Sequence, residues 1–188
     1  MDIKEFLELS TGKWFSQRTS YYLEWEKFEN NKSEITIEML SQDHPEVVEL
    51  CEQHKINPNV SLGGIKASWD NSVDWGKAKQ KGSTLVIPIP DADRPQVGKL
   101  LQAMGNLQKS LIAGRYIMGD DRALTLIVEQ GMTYSEERLW FASPNLRLRT
   151  SIVKHAGGFS TTAFYSEIRK VPPKNKAISQ MSSNVKSG

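Results

Sequence analysis

Polar and apolar residues alternate along most of this chain with a period of two, the pattern of half-buried β-strands. The segments Ser33–Leu40, Ile112–Met118 and Leu146–Val153 are clear examples, and Gly119-Asp120-Asp121 marks a tight turn. About ten such segments follow one another at near-regular spacing. The pattern predicts a mainly β protein, an antiparallel barrel or sandwich, and argues against a βαβ fold.

Two segments follow helical spacing instead. Residues 2–9 predict a short helix, and one main helix is predicted after Asp43, its candidate N-cap, with Pro45 in the first turn. The segment Val97–Met104 fits either a helix or a strand, because its apolar positions suit both periods.

Turn-forming residues and prolines predict where the strands end. Asn30-Asn31-Lys32 predicts a turn, and Pro88 predicts the end of a strand because proline has no N–H to donate to a sheet. A single domain is expected over residues 1–171. Residues 172–188 are rich in Pro, Ser, Asn and Lys with few apolar anchors, which predicts a disordered tail.

Composition excludes several classes of protein. A net charge of +2, from 24 basic and 22 acidic residues, gives no electrostatic case for nucleic acid binding. The single cysteine excludes an intrachain disulfide framework. No apolar run approaches the roughly 18 residues of a transmembrane helix, and the N-terminal segment lacks the basic and apolar regions of a secretory signal.

Histidine and cysteine give no sign of a metal site. His44 and His54 flank the predicted main helix and do not share a face at the four-residue spacing that a zinc site requires. Cys51 lies on the apolar stripe of that helix and is expected to be a buried small hydrophobe. These histidine and cysteine positions predict no metal site. The chain also has no phosphate-binding loop and no nucleophile elbow.

Candidate chemistry concentrates on two predicted strands around Ser143-Pro144-Asn145. Arg147, Arg149 and Ser151 share one face of the second strand, and Glu137 lies on the first. If the arginine face points to solvent, this is an ordinary amphipathic strand. If it points into a cavity, the two arginines form a site for a ligand with carboxylates.

Two tryptophans allow two interpretations as well. Trp69 and Trp75 suit either the core or a stacking platform for a flat conjugated ligand. An antiparallel barrel of eight to ten strands has room for one such small molecule.

Residues 135–149, read as Ser-Glu-Glu-Arg-Leu-Trp-Phe-Ala-Ser-Pro-Asn-Leu-Arg-Leu-Arg, closely resemble the signature of the S-type phycobiliprotein lyases, the CpcS/CpeS family. The stretches that agree with the same family in order are Gly12–Thr19, Gly63–Trp69, Ala113–Tyr116, Gly158–Ser160 and Ser166–Arg169. Together they span about residues 5–170. Tyr165 departs from the family, in which many members carry cysteine at this position.

The resemblance implies a lipocalin-like (calycin) antiparallel β-barrel of about ten strands with one main α-helix. It also implies binding of a linear tetrapyrrole, phycoerythrobilin or phycocyanobilin, and its attachment to a cysteine of an apo-phycobiliprotein subunit. The implied acceptor is the central cysteine of a β subunit, and in some cases of an α subunit. The partner's thiolate would add to the ring A ethylidene to form a thioether.

Site residues follow from the same resemblance. Arg147 and Arg149 are implied for the bilin propionates, and Glu137 for the pyrrole N–H groups. The attachment step is implied to involve Glu137, Arg147, Trp75 and Ser151. The remaining implied bilin contacts are Trp69, Trp75, Arg18 and Tyr22.

Alternatives remain at this point. The chain is a bilin lyase, a bilin carrier that does not ligate, or one subunit of a heterodimeric lyase, and a homodimer is a further possibility. A carrier of fatty acids is disfavoured by the charged set. The resemblance implies the cytoplasm of a cyanobacterium, or a plastid in an alga.

Overall fold

A computed structural model describes residues 1–105, 112–156, 158 and 160–170, and the predicted tail at 172–188 lies outside this description. Ten antiparallel strands pair in chain order, and the last returns to the first to close a barrel. The helices are α1 (Ile3–Ser10) and α2 (Pro45–Gln53), and the strands are β1 (Gly12–Tyr22), β2 (Lys27–Leu40), β3 (Gly64–Asp70), β4 (Lys81–Pro90), β5 (Val97–Met104), β6 (Ile112–Met118), β7 (Leu124–Gln130), β8 (Thr133–Ser143), β9 (Leu146–Lys154) and β10 (Ser160–Arg169). The predicted ten-strand antiparallel barrel is confirmed.

Helix α1 closes one end of the barrel. Asp2 caps it, because its carboxylate accepts from the Glu5 N–H at 2.8 Å while the Glu5 side chain accepts from the Asp2 N–H at 2.9 Å. The apolar face of α1 packs on inward-facing residues of β6, β7 and β8. The cluster contains Ile3, Phe6, Leu7, Tyr116, Met118, Leu124 and Leu139.

The last strand holds α1 in place. The Arg169 guanidinium, at the end of β10, donates to the carbonyl oxygens of Leu9 and Thr11, each at 2.5 Å. A cation at this position also suits the partial negative charge of a helix C-terminus. The side chain of Trp14 lies beneath the same guanidinium, with 4.1 Å between the ring centroid and Cζ. Closure of the barrel and attachment of the helix therefore depend on the same strand.

Helix α2 packs on the outside of the barrel. Val47, Leu50 and Cys51 are buried against outward-facing residues of β4 and β5, which resolves the ambiguous segment 97–104 as a strand. Cys51 is fully buried as expected, and burial raises the pKa of its thiol. The predicted N-cap was off by one residue, because the His44 imidazole, not Asp43, accepts from the Glu46 N–H.

Two turn predictions need correction. Asn30-Asn31-Lys32 lies inside β2, and the chain reverses earlier, through a short 3₁₀ turn at Leu23–Trp25. Pro88 lies inside β4, two residues before its end. The β3–β4 ladder stops at Val86, so Pro88 pairs only with β5 and needs no donor on its other side.

Tyr116 gives the closed end of the barrel a dependence on alkaline pH. Its hydroxyl is buried and donates to the Pro95 carbonyl at 2.9 Å, and burial together with the charge of Asp91 raises its pKa to about 12. The folded state therefore resists deprotonation, and stability present below pH 10 is lost as the pH rises toward 12. We expect the free energy of unfolding to fall by up to about 2–3 kcal/mol over this range.

Urea denaturation at pH 9 to 12 measures this effect, and Tyr116→Phe serves as the control. The phenylalanine variant should lose most of the dependence while starting from a lower stability, because it lacks the hydrogen bond to Pro95. An equal pH dependence in both proteins would contradict the assignment to Tyr116.

Within the described residues, no helix is both long enough and apolar enough to cross a bilayer.

Candidate ligand-binding site

A cavity of about 380 Å³ opens into the barrel from the end opposite α1, and its size falls in the range of small-molecule sites. The side chains that line the cavity come from strands on both sides of the β1–β10 pairing that closes the barrel. They include Arg18, Asn31, Trp69, Glu137, Arg147, Arg149, Tyr165 and Glu167. A smaller apolar space of about 110 Å³ continues from this cavity toward helix α1.

The arginine face of β9 points into this cavity, which decides between the two interpretations left open by the sequence. Arg147 is 5% exposed, and Arg149 lies on the same inner face. The outer face carries Leu148 and Ile152 instead. In an ordinary amphipathic strand the apolar face points inward. In β9 the charged residues point inward and the apolar residues point outward.

The two arginines and two glutamates form a continuous ion network. Arg147 Nε donates to Glu167 Oε2 at 2.6 Å, and Arg149 Nη2 lies 3.5 Å from Glu167 Oε1. Arg149 Nη1 reaches Glu137 Oε2 at 3.4 Å. The four groups sum to zero charge, as a buried polar network requires if it is not to destabilise the fold.

Burial lowers the pKa of both arginines and the nearby carboxylates raise it, but the net direction differs between the two. Burial is the largest influence on Arg147 and lowers its pKa, against the opposing attraction of Glu167. Burial also acts to lower the pKa of Arg149, but the carboxylates of Glu137 and Glu167 outweigh it, and the net direction is upward.

Aromatic rings fix both guanidinium groups. Arg147 lies over the Trp14 ring with 5.2 Å from Cζ to the centroid, and Arg149 lies over the Tyr165 ring at 3.7 Å. The guanidinium planes therefore have little freedom to turn. A ligand carboxylate meets donors that are already oriented, which lowers the entropic loss on binding.

Trp69 lies on the opposite wall and is held by the absence of a side chain at Gly82. The two residues are partners across β3 and β4, and a Cβ added to Gly82 would meet Trp69 Cζ2 at 2.2 Å. The indole therefore lies flat against the backbone of β4. Its exposed face is available to a planar ligand in the cavity.

Three predicted site residues lie elsewhere. Trp75 is 92% exposed, on the β3–β4 connection outside the cavity lining. Tyr22 donates to Glu29 at 3.3 Å and stacks on Trp25 at the β1–β2 turn. Ser151 is buried as the partner of Glu137 between β8 and β9, and it too lies outside the lining. Their roles as bilin contacts stay predictions, although none of the three is part of the cavity lining.

The lining residues that the sequence analysis did not name include Glu167, Tyr165 and Asn31. Glu167 and Tyr165 alternate with Arg169 along β10, a spacing that places all three on one strand face. Asn31 was assigned to a turn and so to the surface. The alternation of polar residues at the C-terminal strand was the available signal for the first two.

A larger depression of about 480 Å³ lies on the outside, between α2 and the sheet. Its best-defined polar feature is the Glu46–Lys66 pair, with 2.8 Å between Lys66 Nζ and each carboxylate oxygen. These charges satisfy each other and do not converge on a ligand position. The inner cavity is therefore the stronger candidate, because oriented donors, acceptors and an aromatic wall meet there.

This closed antiparallel barrel is accessible from one end, and its interior holds an ion network and an aromatic wall. These features define the class of small-ligand-binding β-barrels. The matching protein-family model is that of the CpeS-like proteins, over residues 2–170. The chain belongs to this family.

Individual relatives agree. The chromophore lyase CpcS/CpeS of Thermosynechococcus vestitus is 53% identical over 169 residues, covering 90% of this chain and 93% of the relative. The phycocyanobilin lyase subunit CpcS of a Picosynechococcus strain is 40% identical over 170 residues, covering 89% and 86%. The S-type phycobiliprotein lyase CPES of Guillardia theta has a solved structure that superimposes with a TM-score of 0.81 at 29% identity, covering 92% of this chain and 95% of that one.

Proposed function

We propose that this protein is a bilin lyase. It binds phycoerythrobilin or phycocyanobilin in the barrel cavity and promotes thioether attachment to a cysteine of an apo-phycobiliprotein subunit. The observation that carries the proposal is the convergence of Glu137, Arg147 and Arg149 on an open cavity that also presents Trp69. A bilin offers a matching set of groups, with propionates, pyrrole N–H groups and a conjugated plane.

Each side chain is assigned by chemistry. Glu137 accepts hydrogen bonds from the pyrrole N–H groups, and Trp69 stacks on the conjugated plane. Arg149 and the terminal nitrogens of Arg147 bind one propionate. Only Nε of Arg147 is engaged with a described residue, in its bond to Glu167. The network thus keeps donors for a ligand while remaining neutral without one.

The attachment step needs no nucleophile from this chain, whose one cysteine is buried between α2 and the sheet. The partner's thiol adds across the ring A ethylidene double bond. A carbon–sulfur bond forms at the exocyclic carbon and a proton is taken up at the ring carbon, so nothing is oxidised and no group leaves. The barrel contributes orientation of the bilin and exclusion of water from its reactive face.

Finer assignments form part of the same proposal. The acceptor is the central cysteine of a β subunit, with α subunits as a second class. We assign Trp75 to the rim of the cavity and Ser151 to a role through Glu137, its partner across β8 and β9, since neither lines the cavity. We place the protein in the cytoplasm of a cyanobacterium or the plastid of an alga, acting alone, as a homodimer, or with a related chain.

Mixing the protein with each bilin, then with an apo subunit, tests the proposal. We expect a shifted bilin absorption band on mixing, followed by an adduct that survives denaturation in acidic urea. A subunit with serine in place of its acceptor cysteine is the control and should give no adduct. A shifted spectrum without any adduct would leave only a carrier, and no spectral change with either bilin would end both interpretations.

A further inference from the structure

Arg18 is a cation in the cavity lining that interacts electrostatically with Glu29 without a direct ion pair. Among the described residues its guanidinium makes no ion pair, and its Nε is buried without a hydrogen-bond partner. The glutamates of the network are already matched by Arg147 and Arg149. A buried N–H without a hydrogen-bond partner is destabilising, so a carboxylate that reaches Arg18 Nε supplies a bond that the described residues do not.

Asn31 presents a second donor directly opposite. Arg18 and Asn31 are partners across β1 and β2, and both line the cavity. Side chains so paired have Cβ atoms about 4.5–5.5 Å apart, close enough for both to contact one carboxylate. The Asn31 amide nitrogen, like Arg18 Nε, is buried without a partner.

Lys77 fixes which end of the Asn31 amide faces the cavity. Its ammonium donates to Asn31 Oδ1 at 2.8 Å and to Glu29 Oε1 at 3.0 Å. An ammonium group has no acceptor, so it selects the oxygen end of the amide and leaves the NH₂ end for the interior. The unpartnered amide nitrogen is therefore imposed by the surrounding structure.

We propose that Arg18 and Asn31 form a carboxylate subsite that binds the second propionate of the bilin, separate from the first at Arg147 and Arg149. This inference rests on the proposed function, and adds to it the division of the two carboxylates between opposite walls. Trp69 lines the same cavity, which places the conjugated plane between two charged ends. A ligand held at both ends has one orientation, as delivery to a single cysteine requires.

The test compares phycocyanobilin with its dimethyl ester, in which both propionates are neutral. We expect the wild type to bind the free acid more tightly than the ester. Arg18→Gln and Asn31→Asp should each lower affinity for the free acid by about tenfold or more and leave affinity for the ester within about twofold. Asn31→Asp keeps the acceptor for Lys77 but replaces the donor by a carboxylate oxygen that repels the propionate.

Matched controls use the same chemistry at outward-facing positions. Arg115→Gln removes an exposed arginine of β6, and Asn30→Asp adds a carboxylate on the outer face one residue from Asn31. Neither should change affinity for either form. The ligand-free Arg18→Gln protein should also melt no lower than the wild type, because the substitution breaks no ion pair or hydrogen bond among the described residues.

Four outcomes overturn the inference. Equal losses for acid and ester, or unchanged affinity for the acid, would remove Arg18 and Asn31 from propionate binding while bilin binding itself stands. A fall of several degrees in the melting temperature of Arg18→Gln would make Arg18 a structural residue. A wild type that binds neither form would overturn the proposed function, and the subsite with it.

Discussion

Replacing Glu167 by alanine lowers the free energy of unfolding by about 3–5 kcal/mol, the largest loss we expect from a single polar substitution in this barrel. Glu167 has no solvent exposure and bonds Arg147 at 2.6 Å. Without Glu167, Arg147 stays buried and charged. Burial lowers its pKa, but a guanidinium begins so far above neutrality that it keeps its proton. The penalty comes from the uncompensated charge more than from the lost bond.

Chemical denaturation of the bilin-free protein measures this loss. Glu129→Ala is the matched control, because Glu129 also pairs with an arginine, Arg115 at 3.3 Å, but on the exposed surface. Such a pair contributes less than about 1 kcal/mol. Similar small changes in both variants would mean that Arg147 finds another partner or reaches water, and that Glu167 is dispensable to the fold.

Replacing Glu137 by glutamine lowers bilin affinity about ten- to a hundredfold, the largest binding effect we expect, with no comparable loss of stability. The amide removes the charge that accepts the pyrrole N–H groups, and hydrogen bonds to charged groups contribute about 1.5–3 kcal/mol each. Arg149 retains Glu167 as a counter-ion at 3.5 Å, so the barrel itself should remain intact.

Absorbance titration with phycocyanobilin gives the affinity, and the yield of covalent adduct on an apo subunit gives the effect on delivery. Glu136→Gln is the control, since Glu136 precedes Glu137 on β8 and points to the outer face, where Tyr134 bonds it. It should match the wild type in both measurements. Equal losses in the two variants would point to a general effect of charge on β8 and not to contact with the bilin.

The barrel was predictable because alternation with period two determines strands locally. The same alternation shows that Arg147 and Arg149 share a face, but not whether that face points in or out. That choice depends on which side the closed sheet encloses, a property of all ten strands together. The periodicity left open which way the arginine face points. The resemblance to the CpcS/CpeS family, whose members bind a ligand inside the barrel, indicated that it points inward.

The local sequence pattern does not give the positions of Asn31 and Trp75, for separate physical reasons. Asn31 belongs to a residue type that favours turns, but pairing with β1 and the bond from Lys77 hold it within a strand. Trp75 follows Trp69 by a short distance in sequence, yet β3 ends at Asp70, and no rule of alternation extends into the connection that follows. Tertiary context decided both positions.

The closing strand has a consequence for the order in which the protein becomes active. Residues 160–169 supply Glu167, Tyr165 and the Arg169 clamp on α1, and they pair with β1 near the other end of the chain. A contact of such sequence separation forms late and slowly. During synthesis the ligand site is therefore complete only after β10 has paired with β1, and until then Arg147 and Arg149 lie on an open sheet without their shared counter-ion, Glu167.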